Sequence, residues 1–248
     1  MFTLEQRDAV VEHVLTLARE DERIVAGAFV GSLAVGAADR FSDVDLTFAV
    51  ADGARVIEVL DDWTRTLMDE HQAVRLVDLE RGPISYRVFL LADALQVDLS
   101  MSAAATFRPA GPRFRLVFGD TVEGEAAAEA APDAEDVFGW GVIYALHSRA
   151  CIERGRVWQA EHYVDAVRDH ALSLACLREG LRPEQARTYD DVSSETLARF
   201  AETHVGSVEP GPLRAALAAC TRVLLHEGTV ARLPHASVVA ERLAELTE

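Results

Sequence analysis

Apolar residues recur along the first half of the chain in two different periods. Val10, Val11, Val14, Leu15 and Leu17 follow helical spacing, and Thr3 with Gln6 three residues later is a capping-box pair, so a helix is expected over 4–19. Ile24–Val30 is a short apolar run that stops at Gly31-Ser32, and 43–50 alternates polar and apolar residues at period two. Both read as strands. Val56, Val59, Leu60, Trp63 and Leu67 place a second helix over 54–71, and further short strands are expected over 73–79, 85–91, 95–101 and 114–118. Interleaved helices and strands imply an α/β (α+β) unit in which helices pack on a sheet.

The pattern changes over 121–136, TVEGEAAAEAAPDAED, which is rich in Ala and Glu and broken by Pro132. Beyond it the long apolar periods are helical, over 138–154, 156–179, 210–227 and 237–246. The expected organisation is therefore a first domain over 1–122, a linker over 123–136, and an all-α helical-bundle domain over 137–248.

Composition narrows the function classes. With 248 residues, half of them hydrophobic and 26% charged, the chain has the material for one large or two small cores and is not of a disordered or low-complexity type. The net charge is −17, and all 24 basic residues are Arg. Such a surface repels a nucleic-acid backbone and attracts a cationic small molecule. Any cation that holds a phosphate must be an arginine. Cys151, Cys176 and Cys220 are odd in number and scattered, which indicates neither a disulfide framework nor a zinc site but core residues of a reducing, cytoplasmic protein. The most apolar stretch, 24–38, is too short to span a membrane and follows an acidic run, so a soluble protein without a signal peptide is expected.

The candidate chemistry lies in 27–50, GAFVGSLAVGAADRFSDVDLTFAV. A strand runs into Gly31-Ser32, a short helical stretch follows, and the next strand opens on Asp43-Val44-Asp45. Side chains alternate across a strand, so Asp43, Asp45 and Thr47 share one face while Val44, Leu46 and Phe48 share the other. Two carboxylates held side by side repel unless a cation sits between them, and oxygen ligands of this kind suit magnesium. In Leu95–Met101 the same alternation isolates Asp98, with Gln96 and Ser100, opposite an apolar face. A charge at that position is costly unless it is paired or binds a metal.

Val30, Gly31, Ser32, then Asp43 and Asp45, then Asp98 on a later strand resemble the DNA polymerase beta-like nucleotidyltransferases, in particular their small-molecule branch of aminoglycoside- and lincosamide-type enzymes. The resemblance covers the first half of the chain by motif and the helical half only in general character. It implies a nucleotidyltransferase mixed sheet followed by a helical domain that binds the acceptor. It further implies that Asp43, Asp45 and Asp98 are catalytic and hold two Mg2+ ions, with ATP as donor. Gly31 and Ser32, with Arg40 and Ser42 before the acidic pair, are the implied nucleotide contacts. Asp98 would complete the metal site or accept the proton of the attacking hydroxyl. The implied reaction moves AMP from ATP to a hydroxyl of a small, cationic acceptor such as an aminoglycoside and releases pyrophosphate.

The helical half offers one further stripe. Trp158, Glu161, Asp165 and Arg168 follow one another at spacings of three and four between 156 and 179. They are candidate acceptor contacts, with an indole wall, carboxylates for an ammonium group and a cation for phosphate. The plainer reading has Arg168 neutralising the like-charged Glu161 and Asp165 within the helix. Expected partners are a nucleoside triphosphate and a small-molecule acceptor, with no nucleic acid and no membrane, in a monomer or homodimer. Two rival functions are a nucleotidyltransferase acting on RNA or protein, and a non-catalytic regulatory or antitoxin-like module on the same fold.

Overall fold

A capping box opens α1 (Leu4–Glu20): Thr3 accepts the Gln6 N–H, and the Gln6 side chain accepts the Thr3 N–H in return. The structure, a computed structural model, describes residues 2–109, 111–124 and 130–247 and divides into two compact units between Glu129 and Ala130. Residues 125–129 of the expected linker lie outside the described residues. No helix among the described residues is long and apolar enough to cross a membrane.

The first unit continues through β1 (Ile24–Val30), the four-residue α2 (Gly31–Ala34), β2 (Val44–Val50), α3 (Val56–His71), β3 (Val74–Arg81), β4 (Ile84–Leu90), β5 (Gln96–Ala103) and β6 (Phe114–Phe118). These strands form one mixed six-stranded sheet in the order β3-β4-β5-β2-β1-β6. The β2–β5 pair at its middle is parallel, and every other pairing is antiparallel. Val10, Val14 and Leu15 of α1 and Leu60, Trp63 and Leu67 of α3 bury against Val44, Leu46, Phe48, Val97, Leu99 and Met101. That face of the central strands is apolar because helices cover it; the alternate residues face the other way.

Two ion-pair clusters tie the elements of this unit together. Arg87 on β4 is fully buried and donates to Asp78 on β3 and to Asp61 and Thr64 on α3. Asp21, which ends α1, accepts from the backbone N–H and guanidinium of Arg23 and from the Trp63 indole N–H at 3.0 Å. Its carboxylate is only 13% exposed. The Arg23 guanidinium, helped by Trp63, lowers its pKa to about 2. A carboxylate depressed on folding contributes stability that is complete above its unfolded value and fades as pH falls through the folded one. We therefore expect about 2 kcal/mol of the first unit's stability to disappear between pH 4 and about pH 2. Urea unfolding of Asp21→Asn across that range is the check: the substitution should lower stability at pH 7 and flatten the acid limb.

The second unit is helical: α4 (Ala134–Glu153), α5 (Val157–Arg178), α6 (Ser194–Leu197), α7 (Pro210–Val230) and α8 (Ala236–Arg242), with short 3-10 turns between and after them. Val164, Val167, Ala171 and Leu174 of α5 share one core with Phe138 and Ala145 of α4 and with Leu213, Leu217 and Leu224 of α7. All three cysteines are free and buried.

Two boundaries differ from expectation. The helix predicted from 138 begins at Ala134, inside the stretch read as linker, because Asp133 accepts the Glu135 and Asp136 N–H groups and sets two acidic residues in the first turn. The helix predicted over 237–246 is α8 followed by a separate 3-10 turn, Ala244–Leu246. The short helices of 184–200 have no apolar period long enough to predict them.

Candidate active site

β2 and β5 run parallel in a register that pairs Asp45 with Asp98 and Leu46 with Leu99. Residues paired across neighbouring strands point to the same side of a sheet, so both carboxylates emerge on the face away from α1 and α3. Asp43, two residues before Asp45, joins them. The three half-buried carboxylates each offer an oxygen, and these lie within 4.8 Å of one another. Two side chains 53 residues apart in sequence thus form a single acidic site because of one parallel strand pairing.

Gln96 also sits on this face. Its amide donates to Asp98 Oδ1 at 2.9 Å and to Asp43 Oδ2 at 3.4 Å, bridging the two acids. Burial, opposed by this hydrogen bond and reinforced by the nearby Asp43 charge, pushes the Asp98 carboxyl above the usual carboxylate range. Gln96 was not among the expected site residues, although its i,i+2 relation to Asp98 placed it on the same face.

Gly31 stands at the end of β1 with φ +62, a conformation L side chains rarely adopt. A Cβ there would collide with Asp45 Oδ2, so glycine leaves the space that the carboxylate occupies. Gly36 has a similar φ of +68 with nothing within 4 Å of a Cβ. Ala at either position should cost about 1–2 kcal/mol through backbone strain. Gly31→Ala should cost measurably more than Gly36→Ala in urea unfolding, and it alone should displace Asp45. Equal costs would mean that Asp45 yields freely.

Beside Gly31, the Ser32 hydroxyl is buried and has no hydrogen-bond partner. A buried hydroxyl without a partner is costly and rare, and a ligand oxygen would satisfy it. Arg115 on β6 holds the same turn. It donates to the Leu33 and Ala34 carbonyls that end α2 and lies over the Phe29 ring, 4.5 Å from its centroid. That role comes from the β1–β6 pairing of Phe29 with Arg115, which no local pattern announces.

The remaining candidates are placed less centrally. Ser42 exchanges hydrogen bonds with Asp39, donating to its carboxylate and accepting its N–H, so its hydroxyl shapes the loop before β2. Arg40 is exposed, with its guanidinium 4.3 Å from the centroid of the Phe41 ring. On α5, Arg168 forms an ion pair with Asp165 and donates to the Thr203 carbonyl. Glu161 is half-buried and Trp158 is exposed. On α4 and α5 an aromatic array joins Trp140, Tyr144 and Tyr163, with Tyr144 and Tyr163 stacked at 5.8 Å.

No family model and no curated protein matches the sequence. The chain is similar to two solved structures along nearly its whole length. One is an aminoglycoside 6-adenyltransferase from Bacillus subtilis, at 13% identity and a TM-score of 0.36, over 98% of this chain and 92% of that one. The other is a nucleotidyltransferase-like protein from Exiguobacterium sibiricum 255-15, at 14% identity and a TM-score of 0.38, over 97% and 87% of the respective chains.

Proposed function

We propose that the chain is a magnesium-dependent nucleotidyltransferase of the DNA polymerase beta-like kind, which transfers AMP from ATP to a hydroxyl of a small cationic acceptor such as an aminoglycoside. The observation that carries this reading is the convergence of Asp43, Asp45 and Asp98 across the parallel β2–β5 pair, beside the unpartnered Ser32 hydroxyl. The donor set fits the metal, since hard carboxylate oxygens suit magnesium and leave positions for phosphate oxygens. Asp43, Asp45 and Asp98 would hold magnesium, which when bound neutralises the triphosphate and orients it for in-line displacement.

The chain's own groups supply the rest. Ser32 donates its buried hydroxyl to a phosphate oxygen, and Gly31 keeps Asp45 close to that oxygen. Arg40 is the proposed cation for the triphosphate. Gln96 holds Asp43 and Asp98 in register. The acceptor oxygen bonds to the α-phosphorus as the bond to pyrophosphate breaks. Its proton passes to Asp98, which faces the same site as Asp43 and Asp45. Trp158 and Glu161 are the proposed contacts for a cationic acceptor, because Asp165 and Arg168 are engaged with each other. The net charge of −17 favours such an acceptor over nucleic acid.

Mass spectrometry of a reaction containing the protein, magnesium, the four ribonucleoside triphosphates and a panel of aminoglycosides and lincosamides tests the proposal. The expected result is an acceptor heavier by one nucleoside monophosphate, absent with Asp43→Asn, Asp45→Asn protein. Absence of any product together with absence of magnesium-dependent ATP binding would refute it.

A further inference from the structure

A second cluster of ligating atoms lies on the other side of the sheet. His13 belongs to α1, and Glu70 and His71 are the last residues of α3. These helices cover the apolar face of β2 and β5, opposite the carboxylates, so this cluster takes no part in the site described above. The two imidazoles meet edge to face with centroids 4.8 Å apart, and Glu70 Oε2 is 3.0 Å from His13 Nε2. One ligating atom from each of the three residues lies within 4.8 Å of the other two.

Both Nε2 atoms are buried; His13 Nε2 has Glu70 Oε2 as its ion-pair neighbour, and His71 Nε2 has no hydrogen-bond partner. An ion pair between His13 and Glu70 alone would account for one of them and leave the His71 nitrogen unexplained. Buried ring nitrogens are ordinarily satisfied, and an ion held by all three residues would satisfy the His71 nitrogen together with the His13–Glu70 pair.

We infer that His13, Glu70 and His71 form a transition-metal site, with Zn2+ as the ion its donors suit, that clasps α1 to the end of α3. Two imidazole nitrogens and one carboxylate oxygen are borderline donors that favour zinc over magnesium or calcium. Zinc–nitrogen bonds of about 2.0–2.1 Å in a tetrahedron set ligand atoms about 3.3 Å apart. The longer separations here close by side-chain rotation, for which His13 and Glu70, with side chains 31% and 51% exposed, have room. The sequence hides this site because His13 is 57 residues from Glu70, and neither position carries a metal-binding spacing.

Full-length protein stripped with a chelator and titrated with Zn2+ against a chromophoric competitor gives the test. Asp43→Asn, Asp45→Asn protein serves as the background, so that the acidic site contributes nothing. One zinc per chain is expected, with affinity at least about tenfold weaker in His13→Gln and in Glu70→Gln, both checked for native circular dichroism. X-ray absorption of the one-zinc protein, which requires no substitution at the cluster, should show two imidazole nitrogens. No zinc bound in the background protein, affinity unchanged by both substitutions, or fewer than two imidazoles at the metal would overturn the assignment. These readouts are independent of nucleotidyl transfer, so their failure leaves the proposed function untouched.

Discussion

Asp45→Asn should lower nucleotidyl transfer by at least about 10³-fold while raising the melting temperature of the metal-free protein by about 1–3 °C. Both effects have one cause. Asp45 stands in register beside Asp98 and two residues from Asp43, so three carboxylates share one site, and the Gln96 amide donates to Asp98 and to Asp43. Like charges held side by side raise one another's cost of ionisation, and an amide of the same shape relieves that cost. The raised proton affinity of Asp98 has the same sign: a carboxyl whose pKa rises on folding destabilises the folded chain wherever it is ionised. A site built for binding is therefore improved, as plain structure, by removing what makes it bind. Differential scanning calorimetry in chelator, beside the mass-spectrometric assay, separates the alternatives. Lost activity with a lowered melting temperature would mean that Asp45 supports the fold. Unchanged activity would sink the catalytic proposal.

The acidic site was partly legible in the sequence because its information is local. Period-two alternation put Asp43 and Asp45 on one face and Asp98 on the polar face of another strand, and hydrophobicity alone demands as much. What no alternation states is that β2 and β5 are neighbours, parallel, and in a register that sets Asp45 against Asp98. Gly31 shows the same division. Its residue type announced a special backbone, yet the reason is the room Asp45 needs, a contact made across fourteen residues. Arg115, Gln96 and the His13–Glu70–His71 cluster escaped because their roles exist only once distant elements have packed. Helices were legible wherever an apolar stripe was long, as in α1, α3, α5 and α7. The loop and short turns between α5 and α7 were not, because polar side chains rather than an apolar period hold them.

The sharpest case of such hidden organisation is Glu227, and Arg178→Ala should cost about 3–5 kcal/mol in the second unit. Glu227 lies in the last turn of α7, beside the buried Val223 and Leu224, and is 1% exposed. It accepts from Arg178 Nε at 2.7 Å, at the end of α5, and has that guanidinium as its identified cation. Arg178 in turn donates to Thr196 on α6 at 3.0 Å and to Glu179 at 3.2 Å. Glu179 then accepts the Ser193 N–H at 2.8 Å, which, with the Thr196 and Ser193 hydroxyls, lowers its proton affinity. One guanidinium therefore fastens α5 to α7 and to the turn that leads into α6. Truncating it leaves a carboxylate stranded in an apolar core, and the penalty is the desolvation of that charge rather than the modest worth of the pair. The same reasoning predicts a rescue. Arg178→Met with Glu227→Leu removes both charges and fills similar volume, so it should recover most of the loss even though it deletes more polar contacts. Urea unfolding of the single and double variants decides the matter. A double variant as unstable as Arg178→Ala would show that the links to Thr196 and Glu179, and not the buried charge, hold this corner of the bundle.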